Sequence, residues 1–131
     1  MAMRIKITTA NGMLDTLATL FPAGSILEVY KNTIPTDADT ATSGQTLLAS
    51  ITLPATPWAA ASARSKSKNN TWSDSSADAG SADTPTWCRL KNAADTERLD
   101  FTAGIGSGDI SFDGTITAGQ VVTISTLAIT G

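Results

Sequence analysis

The chain contains no histidine and a single cysteine, Cys88, so the commonest general base and metal ligand are both missing from its chemistry. Cys88 lies inside an apolar-polar stretch with no base near it in sequence. The ordinary reading is a buried thiol that packs as a small hydrophobe; a nucleophile would need a carboxylate or lysine brought to it in space. Paired carboxylates could serve glycoside hydrolysis. Most of the twelve acidic residues, however, fall beside Gly, Ser or Thr, where Asp holds turns through its own backbone. Asp37 with Asp39, or Asp109 with Asp113, could begin a calcium site, but the full acidic loop with its Gly and closing Glu is missing. No phosphate loop or zinc spacing occurs, and no cofactor is expected.

Two groups of residues point to binding instead. Arg64, Lys66 and Lys68 alternate with serines, so on a strand they share one face: either an edge guarded by charge or a basic stripe for an acidic neighbour. Trp58, Trp72 and Trp87 could form a sugar-stacking platform or anchor an interface. At least one is expected in the core. Trp58, between Pro57 and Ala59, is the expected contact residue.

Net charge is −3, which disfavours a general nucleic-acid binder, since that role needs a surplus of Lys and Arg. Charged residues make up 16% of the 131 and apolar ones 41%. The charged share is well under the usual value of about 25%, and Thr, Ser, Ala and Gly fill the difference. Such a surface costs less to desolvate and order at a contact. One cysteine allows no internal disulfide, in keeping with a reducing cytoplasm. No apolar run approaches the length of about 20 residues that spans a bilayer, and no secretory signal is read.

The elements that must position these residues are mostly short strands. Arg4 to Thr8 alternates and predicts a first strand. Asn11 is the expected cap of a helix over about 12–21, with Met13, Leu14, Leu17, Leu20 and Phe21 on one face, Asp15 in its first turn, and Pro22 and Gly24 ending it. Further strands are predicted at Ile26 to Tyr30, Leu47 to Leu53, Trp87 to Leu90, Arg98 to Ala103 and Ile110 to Phe112. Leu47, Ala49, Ile51 and Leu53 should share a face. A turn-rich loop runs from Asn32 to Gly44. The low-complexity stretch from Ala59 to Ala82 predicts one or two poorly patterned strands. Gly104, Gly106 and Gly108 mark a turn. In the last strand, Val121 to Ile129, the apolar phase slips, which a bulge near Ser125 and Thr126 would correct. About eight short strands with turn signals, and no internal repeat, predict one all-β domain over 1–131: an antiparallel β-sandwich or jelly roll with one short N-terminal helix.

The order of segments also carries a resemblance. Ala10-Asn11-Gly12-Met13-Leu14-Asp15 is followed by Gly24-Ser25-Ile26-Leu27-Glu28-Val29-Tyr30, Ala38-Asp39-Thr40-Ala41 and Thr46-Leu47-Leu48-Ala49-Ser50-Ile51-Thr52-Leu53. Then come Ser73-Asp74-Ser75-Ser76-Ala77-Asp78-Ala79 and Ile116-Thr117-Ala118-Gly119-Gln120-Val121-Val122-Thr123-Ile124. Over most of its length the chain resembles a family of small virion structural proteins of tailed bacteriophages. The segment Thr84-Pro85-Thr86-Trp87-Cys88 departs from that pattern. The resemblance implies a capsid cement or decoration protein, made in the host bacterial cytoplasm and carried on the capsid surface. Its partners would be the major capsid protein and further copies of itself, with no enzyme activity, small-molecule substrate, nucleic acid or membrane involved. Contact is expected through the N-terminal arm (Arg4, Lys6), the Asn32 to Gly44 loop (Pro35, Asp37, Asp39), Trp58, and the stripe Arg64, Lys66 and Lys68. A tail, neck or fibre component is the nearest alternative, and a carbohydrate-binding module using the tryptophans is the second.

Overall fold

The computed structural model describes residues 3–130. Helix α1 spans Ile7–Leu20 and takes in part of the segment expected to be a first strand. A five-residue alternation is too short to oppose a longer helical pattern. Ala10, Leu14, Leu17 and Phe21 follow one another at steps of four, three and four, and all turn toward the protein. Asn11 is therefore inside the helix and does not cap it; the N-cap is Lys6, without a side-chain bond. Met13 leaves the expected stripe and is 61% exposed. At the far end the Phe21 amide donates to the Leu17 carbonyl, and the proline at 22 cannot extend the ladder. The indole Nε1 of Trp58 donates to the Phe21 carbonyl at 2.9 Å, satisfying one of the end carbonyls that a helix leaves open.

Among the described residues nine strands follow: β1 (Ile26–Lys31), β2 (Thr46–Thr52), β3 (Ser65–Ser67), β4 (Trp72–Asp74), β5 (Trp87–Lys91), β6 (Arg98–Ile105), β7 (Ile110–Phe112), β8 (Val122–Ile124) and β9 (Ala128–Thr130). Five form one sheet in the order β2-β1-β5-β6-β7, while β3 pairs with β9 and β4 with β8. The chain is thus mostly β with one helix, as the turn signals predicted. The sheet is mixed rather than wholly antiparallel, because β6 and β7 run parallel.

That parallel pair is unusual, since parallel neighbours are ordinarily joined by a crossover of a dozen residues or more. Here residues 106–109 suffice. Gly106 and Gly108 take φ of +69° and +85°, and a Cβ on Gly108 would stand 2.8 Å from the Ala103 Cα. Only glycine lets the chain turn back so closely on itself. Asp109 clamps the loop: its Oδ2 accepts from the Thr102 amide and hydroxyl, both at 3.0 Å, and its own amide donates to the Thr102 hydroxyl.

Two apolar patterns resolve differently from expectation. Between Val29↔Ala49 and Tyr30↔Leu47 the register of β1 on β2 shifts, so Leu48 is the extra residue of a bulge. Leu48 and Ala49 are both buried, and Leu47 falls out of the predicted face. The phase slip after Ile124 is no bulge in one long strand. The chain leaves β4 there and joins β3 as β9, which keeps Val122, Ile124 and Leu127 all buried.

The core lies on one face of the five-stranded sheet. Leu27, Val29, Ile51, Cys88, Leu90 and Phe101 from that face meet Trp72, Val122 and Ile124 from the β4–β8 pair, with Trp58 and Phe21 closing one end. The outer edge of β2 is not left bare: the Ser50 amide donates to Asp74 Oδ2 at 3.0 Å, and the Leu48 carbonyl accepts from the Asp78 amide at 2.8 Å. Capping an edge in this way removes a template for unwanted pairing.

Candidate functional site

The basic stripe does not form an exposed face. Ser62 and Ser65 exchange both backbone hydrogen bonds around Ala63 and Arg64, whose φ values are +50° and +63°. That is a two-residue hairpin of the type I′ kind, normally built from Asn and Gly. Arg64 therefore sits in the turn rather than in β3, and its amide donates to Asn11 Oδ1 at 3.0 Å while its guanidinium donates to the Ile5 carbonyl. Lys66, in mid-strand, is only 3% exposed. Its Nζ donates to Asp15 Oδ1 at 2.7 Å, and the same oxygen accepts from the Ala61 amide. Lys68 donates to the Asn70 carbonyl. Arg64 and Lys66 thus belong to the seam that fastens α1 to the β3 hairpin, and Asp15, placed by sequence in a first helical turn, is its acidic half.

The Lys66 ammonium, first, and the Ala61 amide hold the Asp15 carboxyl below its usual range, against the opposing effect of desolvation. A carboxyl depressed by folding stabilises the native state above its unfolded pKa of about 3.9, and the contribution fades as pH falls through the lower folded value. Asp15→Asn should therefore lower the hydrogen-exchange protection of α1 amides at neutral pH, by leaving Lys66 buried without a counter-charge. It should also remove the part of their acid sensitivity that comes from this pair. Unchanged α1 protection in the variant would refute the seam.

Beside the seam lies an apolar groove of about 260 Å³, walled by Ile5, Met13, Leu14 and Leu17 on one side and by Leu99 and Ile129 on the other. Met13 is its most open member, and Ile7 and Met3 are also well exposed nearby in the chain. Arg4 and Lys6 flank Ile5 in the chain and are both exposed, so two cations stand next to that wall of the groove. The N-terminal arm expected as a contact region is thus at the rim of the groove. Sequence reading missed the groove itself, because it placed Met13 on the buried stripe, whereas the side chain is exposed at the groove.

The opposite face of the large sheet is polar and buried. Tyr30 and Trp87 stack with centroids 4.5 Å apart, and Arg89 lies 5.4 Å from the Trp87 ring centroid. Arg89 also holds Asp100 through two bonds of 2.8 and 3.0 Å, and Lys91 pairs with Glu28 at 3.3 Å. Burial, with Glu28 adding to it, pushes the Tyr30 phenol up to about 12, so it stays neutral. The loop of residues 32–45 folds over this face: Arg98 Nη1 donates to the carbonyls of Ala38 and Asp39. Asp37 is exposed and accepts from the Thr40 hydroxyl and amide of its own loop, which lower its pKa. Pro35 is half-buried, and Asp39 and Ile34 are exposed. The structure brings Asp37 and Asp39 into one loop with these exposed residues but apart from Arg4 and Lys6.

Among the described residues no three His, Cys, Asp or Glu side chains are grouped to hold a metal ion. Cys88 is buried, and burial raises its thiol pKa, the reverse of what a nucleophile requires. Trp58, expected at a contact, is buried and packs edge-on against Trp72 at 5.1 Å. Trp72 and Trp87 are fully buried as well, so none of the three offers a ring face for a sugar. No helix of the described residues is long and apolar enough to cross a membrane. Set against known protein families, curated proteins and solved structures, the chain finds no match.

Proposed function

We propose that this is a structural protein of a tailed-phage virion, a cement or decoration protein that bridges major capsid subunits. The observation that carries the reading is the open apolar groove beside α1, with the exposed Arg4 and Lys6 next to its Ile5 wall, which supports contact with another protein chain. It is supported by the sequence resemblance, by the low share of charged side chains, and by a core that draws on both the five-stranded sheet and the β4–β8 pair. In this reading the two layers form a rigid slab, and the slab works by contact. Bridging would add stabilising surface across capsomer boundaries and so oppose the outward pressure of packaged DNA. A tail, neck or fibre position is the second reading, and the same groove serves it equally.

Cryogenic imaging of purified virions, with the chain quantified against the major capsid protein, tests the assignment. A cement protein is expected on the shell in a fixed ratio to that protein. A strongly substoichiometric amount confined to the tail would favour the second reading, and absence from the particle would overturn both.

A further inference from the structure

We propose that the groove beside α1 receives the 32–45 loop of a second copy of this chain, so that copies join head to tail. The inference rests on the reading of the protein as a self-associating shell component and names the surfaces that would do it.

Charge and apolar character match across the two surfaces. The groove places Met13, Leu99 and Ile129 beside an arm whose Arg4 and Lys6 are exposed. The one carboxylate on α1, Asp15, is already taken by Lys66, so nothing on the helix neutralises that arm. The loop has the complementary order. Ile34, 38% exposed, precedes Pro35, and Asp37 and Asp39 follow with no Lys or Arg anywhere from residue 32 to 45. Thr40 fixes the Asp37 carboxylate as an anion by donating to it. The two surfaces are held on opposite faces of β6, because side chains alternate along a strand: Leu99 lines the groove, while Arg98 next to it holds the loop by its Ala38 and Asp39 carbonyls. A copy cannot therefore fill its own groove with its own loop without dismantling those contacts.

A two-fold dimer joining groove to groove would set Arg4 and Lys6 of one copy against those of the other. Loop into groove avoids that repulsion. Because the two surfaces differ, the contact is heterologous and runs on into a ring or an open chain. The groove is small beside the roughly 800 Å² per partner of a standard stable interface, so association in dilute solution should be weak. It becomes effective where a shell holds the copies close together.

The buried Cys88 leaves the surface free for engineered thiols. Met13→Cys and Ile34→Cys change exposed side chains, and each variant should fold. Mixed at high protein concentration under mild oxidation, the two should give a disulfide-linked dimer several-fold in excess of either variant alone, falling as salt is raised. Lys6→Glu should weaken the linkage, and Asp37→Lys added on the other partner should restore it. Met13→Cys linking to itself as fast as to the mixture would replace this arrangement with groove-to-groove pairing. A mixture no more linked than each variant alone would overturn it. Detection of the chain in virions is read separately: a chain present on the shell without the Met13–Ile34 adduct defeats this inference alone, and an adduct with no chain in the virion defeats only the virion assignment.

Discussion

Asp100→Ala is expected to lower the unfolding free energy by about 3 kcal/mol, the scale seen when one partner of a buried ion pair is removed. Arg89 sits on β5 between β1 and β6, where its guanidinium is cut off from water by the Trp87 ring and the loop above. Both oxygens of Asp100 accept from it, and its pKa is raised chiefly by that pairing. Without Asp100 the charge stays in place with both of these hydrogen bonds lost and the Trp87 ring as its remaining neighbour. Glu28, directly across from Arg89 on β1, is already paired with Lys91 and can offer only partial relief. A urea titration should show the midpoint falling at unchanged slope. The double variant Arg89→Met with Asp100→Leu removes both charges and should fall within about 1 kcal/mol of the wild type, since a buried pair adds little over a well-packed apolar substitute. A loss under about 0.5 kcal/mol for Asp100→Ala, the scale of an exposed pair, would show that this face is wetter than its burial implies.

The same face shows where sequence reading stops. Alternation in Ile26 to Tyr30 and in Trp87 to Leu90 was enough to place two strands. It could not show that Tyr30, Trp87 and Arg89 are buried on the side away from the core, because only the 32–45 loop makes that side an interior, and a loop leaves no period to read. The seam under α1 failed for a related reason. Lys66 looked like a guard on an exposed edge because its partner Asp15 lies 51 residues away in sequence, and a lysine between serines carries no sign of what will cover it. The short strands were legible where Gly, Pro and Asn punctuate them, including the two poorly patterned ones in the low-complexity stretch. Register was not, because the bulge at Leu48 and the switch of the last strand from β4 to β3 both keep apolar side chains inward, and a local pattern cannot separate a bulge from a change of partner. The groove was not legible: Met13 counted with the apolar stripe at helical spacing although it is exposed, and Leu99 and Ile129 reach the groove only through the fold.

Trp72→Ala should be the most damaging single change in the apolar core, costing about 3–5 kcal/mol, the range for deleting a buried large aromatic. Trp72 is fully buried and lies where the β4–β8 pair meets the large sheet, so its ring packs the pair against the sheet. It packs edge-on to Trp58, which in turn caps the end of α1, so the cavity would loosen the helix as well as β4. Its indole Nε1 donates to the carbonyls of Pro57 and Asn69 at 3.2 and 3.1 Å. Trp72→Phe keeps most of the apolar area but leaves the Asn69 carbonyl without that donor, and should cost less than the alanine variant, about 1–3 kcal/mol. Trp87 provides the contrast, because its buried Nε1 has no acceptor among the described residues; Trp87→Phe reduces the stacking on Tyr30 but loses no hydrogen bond. Urea unfolding followed by the fluorescence of the remaining tryptophans should therefore rank Trp72→Ala as the least stable and Trp87→Phe as milder than Trp72→Phe. Should the two phenylalanine variants prove equal, the hydrogen bonds of Trp72 contribute nothing measurable, and it holds the β4–β8 pair to the large sheet by packing alone.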